Sequence, residues 1–214
     1  MKTTSTLYEI ATADKHILIS GCTGSGKSVL LNHLIKTRQA TAPPSWAFVD
    51  PKKIELYELR NKSNCIGYTD SPDIAAGYML ELLNRVNCRY KAMRFAGFKT
   101  YTGAAIILVI DELADLLLSE RGNEIKTYLQ KLLQIGRAAR VFVWAATQSP
   151  SRKTLPAEMV INFNLRIGLK QFSPIESRQI VGVNGCEALP PYGAAIANTG
   201  AELFRFEIPP EIVI

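Results

Sequence analysis

Gly21-Cys22-Thr23-Gly24-Ser25-Gly26-Lys27-Ser28 satisfies the phosphate-loop pattern of Gly, four free positions, Gly, Lys and Ser or Thr. The residues before it, His16-Ile17-Leu18-Ile19-Ser20, read as a short buried strand. Those after it, Val29-Leu30-Leu31-Asn32-His33-Leu34-Ile35-Lys36, read as an amphipathic helix. Strand, glycine-rich loop and helix in that order make a cradle for phosphate. The glycines let successive N–H groups curl inward. The helix start adds its partial positive charge and free donors. Lys27 supplies a full charge for β- and γ-phosphates, and the Ser28 hydroxyl is placed to ligate Mg²⁺. The expected nucleotide contacts are therefore Gly21, Cys22, Thr23, Gly24, Ser25, Gly26, Lys27, Ser28 and Val29. Cys22 itself reads as a small residue turned toward the core.

The rest of the chain must be the sheet on which such a loop sits. Its 214 residues are 47% hydrophobic, enough for one sizeable core. The net charge of +6 permits a nucleic-acid partner without requiring one. Cys22, Cys65, Cys88 and Cys186 form no Cys-x-x-Cys pair, and there are two histidines, so neither a zinc site nor a disulfide framework is expected. No apolar run approaches the ~18 residues of a membrane span, and the N-terminus lacks the look of a signal peptide. The expected location is cytoplasmic, or the inner face of the cell membrane if the chain is part of a longer anchored protein.

Residues 1–15 are polar and mixed, and read as an N-terminal strand or arm ahead of a single domain over 16–214. Trp46 to Val49 reads as a second strand, ending at Asp50-Pro51-Lys52. Ser71-Pro72-Asp73 starts a helix running to about Phe95, with Gly97 at its stop. Ala104 to Ile110 is a third apolar strand, followed by helical sequence that ends at Gly136. Val141 to Ala146 is a fourth strand and Leu165 to Leu169 a fifth. Ser173-Pro174-Ile175-Glu176 is a capping box, and Ala194 to Ile208 a hairpin around Asn198-Thr199-Gly200. Continuous apolar strands alternating with helices give an α/β fold with a mostly parallel sheet, covered on both faces.

Ile106-Ile107-Leu108-Val109-Ile110-Asp111-Glu112 supplies the second half of a site. An acid ending an apolar strand is a Walker B pattern, in which Asp111 holds Mg²⁺ through its water shell. The acid after it, Glu112, suits a base that polarises the attacking water. The pair points to hydrolysis rather than transfer to a small acceptor. Gln148 closes the next strand. In a RecA-like sheet that strand lies between the phosphate-loop and Walker B strands, which would put the Gln148 amide near the γ-phosphate as a sensor. No Asn-Lys-x-Asp or Thr-Lys-x-Asp guanine-reading motif is present.

By this point the chain resembles the motor domain of FtsK/SpoIIIE DNA translocases, within the HerA/FtsK superfamily. The resemblance rests on the 16–28 stretch, Asp50-Pro51-Lys52 with Glu55-Leu56, Arg89-Tyr90, Val109 to Leu116, Gly136-Arg137-Ala138-Ala139 and Ala146 to Ser151. Ser177-Arg178, Gly185-Cys186-Glu187 and Gly193 continue it, so that it spans about His16 to Ala197. The resemblance implies a RecA-like ATPase that uses ATP and Mg²⁺ to pump double-stranded DNA through a hexameric ring. Related members act as coupling proteins in conjugation and protein secretion. It also implies an arginine finger reaching a neighbour's ATP. Arg137 is the first choice, with Arg89 and Arg166 as alternatives. Ser149 stands where the family usually has arginine. The chain is expected to be a minimal motor, or the motor part of a conjugative or phage-type relative that works with transfer machinery or a membrane-anchored N-terminal segment.

Two basic stretches are candidates for DNA. Arg85, Arg89, Lys91, Arg94 and Lys99 lie in a run with no acid between Asn84 and Thr100; Arg85 and Arg89 share a helix face. A solvated helix face is the competing reading. Arg152 and Lys153, just past the Gln148 strand, form the second candidate.

Overall fold

The computed structural model describes residues 3–148, 150–152, 154–209 and 212. Helix α1 (Thr3–Thr12) leads into β1 (Ile17–Ser20), the glycine-rich loop and α2 (Lys27–Thr41). Strand β2 (Ser45–Val49), a short 3-10 turn (Tyr57–Asn61) and β3 (Cys65–Thr69) precede the long α3 (Pro72–Ala96). Then come β4 (Ile106–Ile110), α4 (Leu113–Leu118), α5 (Gly122–Ile135) and β5 (Val141–Thr147). The chain finishes with α6 (Ala157–Val160), β6 (Leu165–Gly168), α7 (Pro174–Val181), β7 (Ala194–Asn198) and β8 (Leu203–Glu207).

All eight strands form one sheet in the order β3-β2-β4-β5-β1-β6-β7-β8. The first six in that order run parallel, and β7 and β8 add an antiparallel hairpin at one edge. Side chains alternate between two cores, as the pleat requires. Ile17 and Ile19 join Trp46, Phe48, Phe142 and Trp144 on the face covered by α1 and α2. Leu18 joins Ala47, Val49, Leu108, Val141 and Val143 on the face covered by α3, α4 and α5, with Met159 and Val160 of α6 and Ile180 of α7.

Two expectations change. The N-terminal stretch is a helix, because Leu7, Ile10 and Ala11 at spacings of three and four bury together with Ile17 and Leu34. Strand β3 went unread because Cys65-Ile-Gly-Tyr-Thr69 is short, contains a glycine and is mostly half-buried, as an outermost strand can be. Helix α2 runs to Thr41, five residues past its expected end, and the short α6 was also unread; the remaining strands and α3, α5 and α7 fall within a residue or two of their expected positions. Gly97 follows α3, Ser173 and Glu176 form both halves of the capping box, and Asn198-Thr199-Gly200 sits at the hairpin tip.

Register decides what the sheet presents. Ser20 of β1 lies beside Thr147 of β5, and Ile110 of β4 lies between Val49 of β2 and Ala145 of β5. The first residues past these strands, Gly21, Asp50, Asp111 and Gln148, therefore share one edge of the sheet. That edge is the usual place for ligands in an open α/β sheet.

Candidate functional site: a phosphate cradle beside two buried acids

The loop between β1 and α2 takes the curled form its glycines allow. Gly24 and Gly26 have φ of 76° and 90°, a region that side-chain-bearing residues avoid. Gly21 is required for a different reason. A Cβ there would lie 2.4 Å from Ser25 Oγ and 2.8 Å from Leu169 Cβ. The amide of Cys22 donates to Lys170 O at 2.8 Å, which anchors the start of the loop, and Ser25 N donates back to Cys22 O at 3.1 Å. Among the described residues no backbone carbonyl takes the N–H groups of Gly24, Gly26, Lys27 or Ser28. The buried Ser25 hydroxyl also has no partner. A ring of unpaired donors at the start of a 15-residue helix fits a polyphosphate. Thr23 is exposed, Cys22 is buried and Val29 half-buried.

Lys27 opens α2 and is buried. Its ammonium donates to Gly21 O at 2.7 Å and Cys22 O at 2.9 Å, so it lies folded along the inside of the loop. Burial holds its pKa below the usual lysine range, with Glu112 opposing. Ser28 Oγ donates to Asp111 Oδ1 at 3.5 Å. Asp111 is buried, and its pKa is pushed up to about 6, first by burial and then by the neighbouring carboxylates of Glu55 and Asp50. A hydroxyl and a crowded, desolvated carboxylate are hard oxygen donors that suit a hard divalent cation. No cluster of three or more His, Cys, Asp or Glu among the described residues could cage one alone. The donor set thus fits Mg²⁺, a cation that keeps waters and shares substrate phosphates.

Glu112 is 3% exposed. Its Oε1 accepts from the Thr147 hydroxyl at 3.1 Å and from Gln148 N at 3.0 Å, and its Oε2 faces Lys52 Nζ at 3.5 Å. The Gln148 side chain reaches the loop tip, where its Oε1 accepts from Thr23 Oγ1 at 2.8 Å. Strand β5 therefore bridges the acid pair and the phosphate loop. Three contributors were not singled out from sequence for a role: Lys52, Thr147 and Asp50. Asp50 and Lys52 flank a proline in a turn, and nothing in their spacing says that the turn folds back over β4. Thr147 ends an apolar strand, where a polar residue reads as a boundary.

The remaining expected residues lie elsewhere. Arg137 is exposed at the end of α5 and close enough to His16, at the start of β1, for its charge to help lower that histidine's pKa. Arg137 thus stands at the opposite end of the sheet from its own phosphate loop. Arg89 donates to Ala139 O at 2.8 Å, Arg140 O at 3.2 Å and Ala104 O at 3.0 Å, and lies over the Tyr101 ring. Those bonds make it a strut between α3 and β5. Arg85 pairs with Glu81 at 3.0 Å, while Arg94 and Lys99 are exposed. Arg152 shares a recess of about 200 Å³ with Arg166 and Arg178, on the face of α6 and α7. Arg166 is half-buried there, and its Nε has no partner. Lys153 and Ser149 fall outside the described residues.

Comparison with known proteins agrees with this geometry. Residues 3–106 match the FtsK/SpoIIIE family. The DNA translocase FtsK of Chlamydia muridarum is 31% identical over 201 residues, 81% of this chain and 25% of that protein. That of Clostridium tetani is 32% identical over 192 residues, 81% and 26%. The chain thus spans about a quarter of the curated relatives it matches. Among solved structures, the pCW3 conjugation coupling protein TcpA, a monomer with ATPγS, superposes with a TM-score of 0.79 at 24% identity, covering 92% of this chain and 60% of that one. The cytoplasmic domain of the Thermomonospora curvata type VII secretion ATPase EccC gives 0.76 at 24%, covering 90% and 25%. These likenesses establish a RecA-like P-loop fold. No described helix is long and apolar enough to cross a membrane.

Proposed function

We propose that this chain, whose residues 3–106 match the FtsK/SpoIIIE family and which is similar to FtsK DNA translocases, is an ATP-hydrolysing motor that moves double-stranded DNA and works as a ring. The observation that carries the chemistry is the buried Glu112, with Oε1 fixed by Thr147 and Gln148 at the edge where Lys27, Ser28 and Asp111 meet. Lys27 and the loop amides hold the β- and γ-phosphates. Ser28 and Asp111 would hold Mg²⁺, which when bound would supply neutralising charge to the phosphate oxygens. Glu112 accepts a proton from the attacking water, and Gln148 orients that water or reads the γ-phosphate.

Among the described residues no arginine is hydrogen-bonded or ion-paired to the phosphate loop, Asp111 or Glu112, so the cation opposing charge at the γ-phosphate is assigned to a neighbouring subunit. Arg137, exposed at the far end of the sheet, is assigned that part. For DNA, the favoured surface is the recess of Arg152, Arg166 and Arg178, where three guanidinium groups converge with no carboxylate in the lining. The α3 run is less suited, since Arg89 is engaged with carbonyls and Arg85 with Glu81.

A second reading, a coupling ATPase that moves protein, draws on Phe172 and Ile175. They are 78% and 65% exposed, next to that recess, and would suit an apolar peptide segment. ATP turnover measured with and without duplex DNA, alongside mass measurement in ATP, separates the two. Stimulation by DNA and assembly in ATP support the first. Turnover indifferent to DNA at low salt counts against it.

A further inference from the structure

Lys52 is not among the residues assigned to the reaction above, yet among the described residues it is the cation that ion-pairs with the acid proposed to perform it. We infer that Lys52 is a positioning residue for Glu112, tethering the free oxygen of its carboxylate. The inference rests on the reading of Glu112 as the base.

The two oxygens of Glu112 are held unequally. Oε1 has two donors, both from the end of β5. Among the described residues Oε2 has one, Lys52 Nζ at 3.5 Å. A carboxylate fixed at one oxygen can still rotate about that anchor. A base must present one particular lone pair to a water, and small misplacements are costly in rate. A second tie on the other oxygen removes that freedom.

The lysine is well placed because its turn is braced from beneath. Asp50 is fully buried, and its Oδ2 accepts from Leu56 N at 3.0 Å and from the Tyr68 hydroxyl at 3.2 Å. Its amide donates to Thr69 O at 2.8 Å, and its carbonyl accepts from Lys53 N at 3.0 Å. Residues 50–56 are thereby fixed against β3, and Lys52 is directed across to β4. The next residue shows the contrast. Lys53 turns away to pair with Asp70 at 2.7 Å, and its side chain is 68% exposed. Lys52 is 38% exposed against a carboxylate that is 4% exposed, so the tether closes the solvent side of a buried acid.

The test uses the full chain and measures kcat and KM for ATP, and the Kd of a fluorescent ATP analogue. Lys52→Ala should lower kcat about tenfold, the lower end of what one charge-assisted hydrogen bond is worth, with Kd within about twofold of wild type. Lys52→Arg, which keeps a cation and donors, should recover most of the rate. Lys53→Ala should match wild type in all three quantities. Unchanged kcat in Lys52→Ala would overturn the inference. So would a loss of affinity equal to the loss of rate, which would make Lys52 a direct phosphate ligand. A Lys52→Arg variant as slow as Lys52→Ala would also overturn it. The reading of Glu112 has its own arm: Glu112→Gln at the wild-type rate would remove that base, whatever Lys52 does.

Discussion

At the scale of single residues, the site separates holding from reacting. Lys27 lies along the phosphate loop and Glu112 against the end of β5, and on the proposed reading they would meet the nucleotide from different elements. Lys27→Ala removes the only full charge within the loop and should raise the Kd for ATP at least about tenfold, one power of ten for each ~1.4 kcal/mol of binding. Glu112→Gln keeps shape and hydrogen bonding to Thr147 and Gln148 but cannot take a proton. It should bind ATP normally and hydrolyse it at least about a hundredfold more slowly, the scale of a lost general base. Equilibrium binding and single-turnover hydrolysis check both. Equal binding loss in the two variants would mean that the acid helps to hold the metal–nucleotide complex rather than to take a proton.

At the scale of elements, Arg89 and His16 fix how strands and helices meet. Arg89→Ala leaves three carbonyls at the α3–β5 junction without their donor. It should cost about 1–3 kcal/mol of stability, read by urea unfolding, while the salt dependence of DNA binding stays as it was. His16 is fully buried, and its Nδ1 accepts from Val143 N at 3.0 Å, which joins the starts of β1 and β5. Burial, reinforced by the charge of Arg137, lowers its pKa from 6.5 to about 3. The unfolded chain therefore binds a proton that the folded chain refuses between those two values, and stability falls as pH drops through that window. Between pH 7 and pH 5 this one group should remove about 2 kcal/mol, and a His16→Gln variant should lack that part of the drop.

Much of this scale could be read from the chain itself. Apolar runs such as 106–110 and 141–146 became strands because a sheet covered on both faces has no polar side to mark. The same logic located the acid pair, since a strand that ends in two carboxylates must release them at the sheet edge. Helix α1 was hidden by its polar majority; among its described side chains Leu7, Ile10 and Ala11 bury, and composition averages them away. The role of Lys52 was hidden because a turn's sequence does not say which way it folds. The convergence of Arg152, Arg166 and Arg178 depends on α6 and α7 packing side by side, a tertiary fact that spacing in sequence does not carry.

At the scale of the whole molecule, the ends of the sheet differ in chemistry. One end carries the proposed nucleotide site, and the other carries Arg137. If neighbours stack one end against the other, each subunit completes the next. Mixing Arg137→Ala with Glu112→Gln should then restore turnover that neither variant has alone, because some interfaces pair an intact acid with an intact arginine. A mixture that stays inactive while subunit exchange is verified would count against action in trans. The recess makes a separate prediction. Arg152→Ala with Arg178→Ala should weaken duplex binding for all sequences alike and flatten the log–log salt slope by about 0.9 for each phosphate the protein no longer neutralises. ATP turnover without DNA should remain.

The position of β5 and β1 in the sheet has one more consequence. They are the middle pair of eight, each flanked on both sides and covered above and below. Their amides can meet solvent deuterium only when most of the molecule opens, whereas those of β3 and β8, each with one bare flank, need only local fraying. Exchange should therefore be slowest in the strands that carry the phosphate loop and Gln148, and faster by orders of magnitude at the two outer strands. The nucleotide would then be gripped by the part of the protein that changes least with time, leaving the rim free to shift during each cycle.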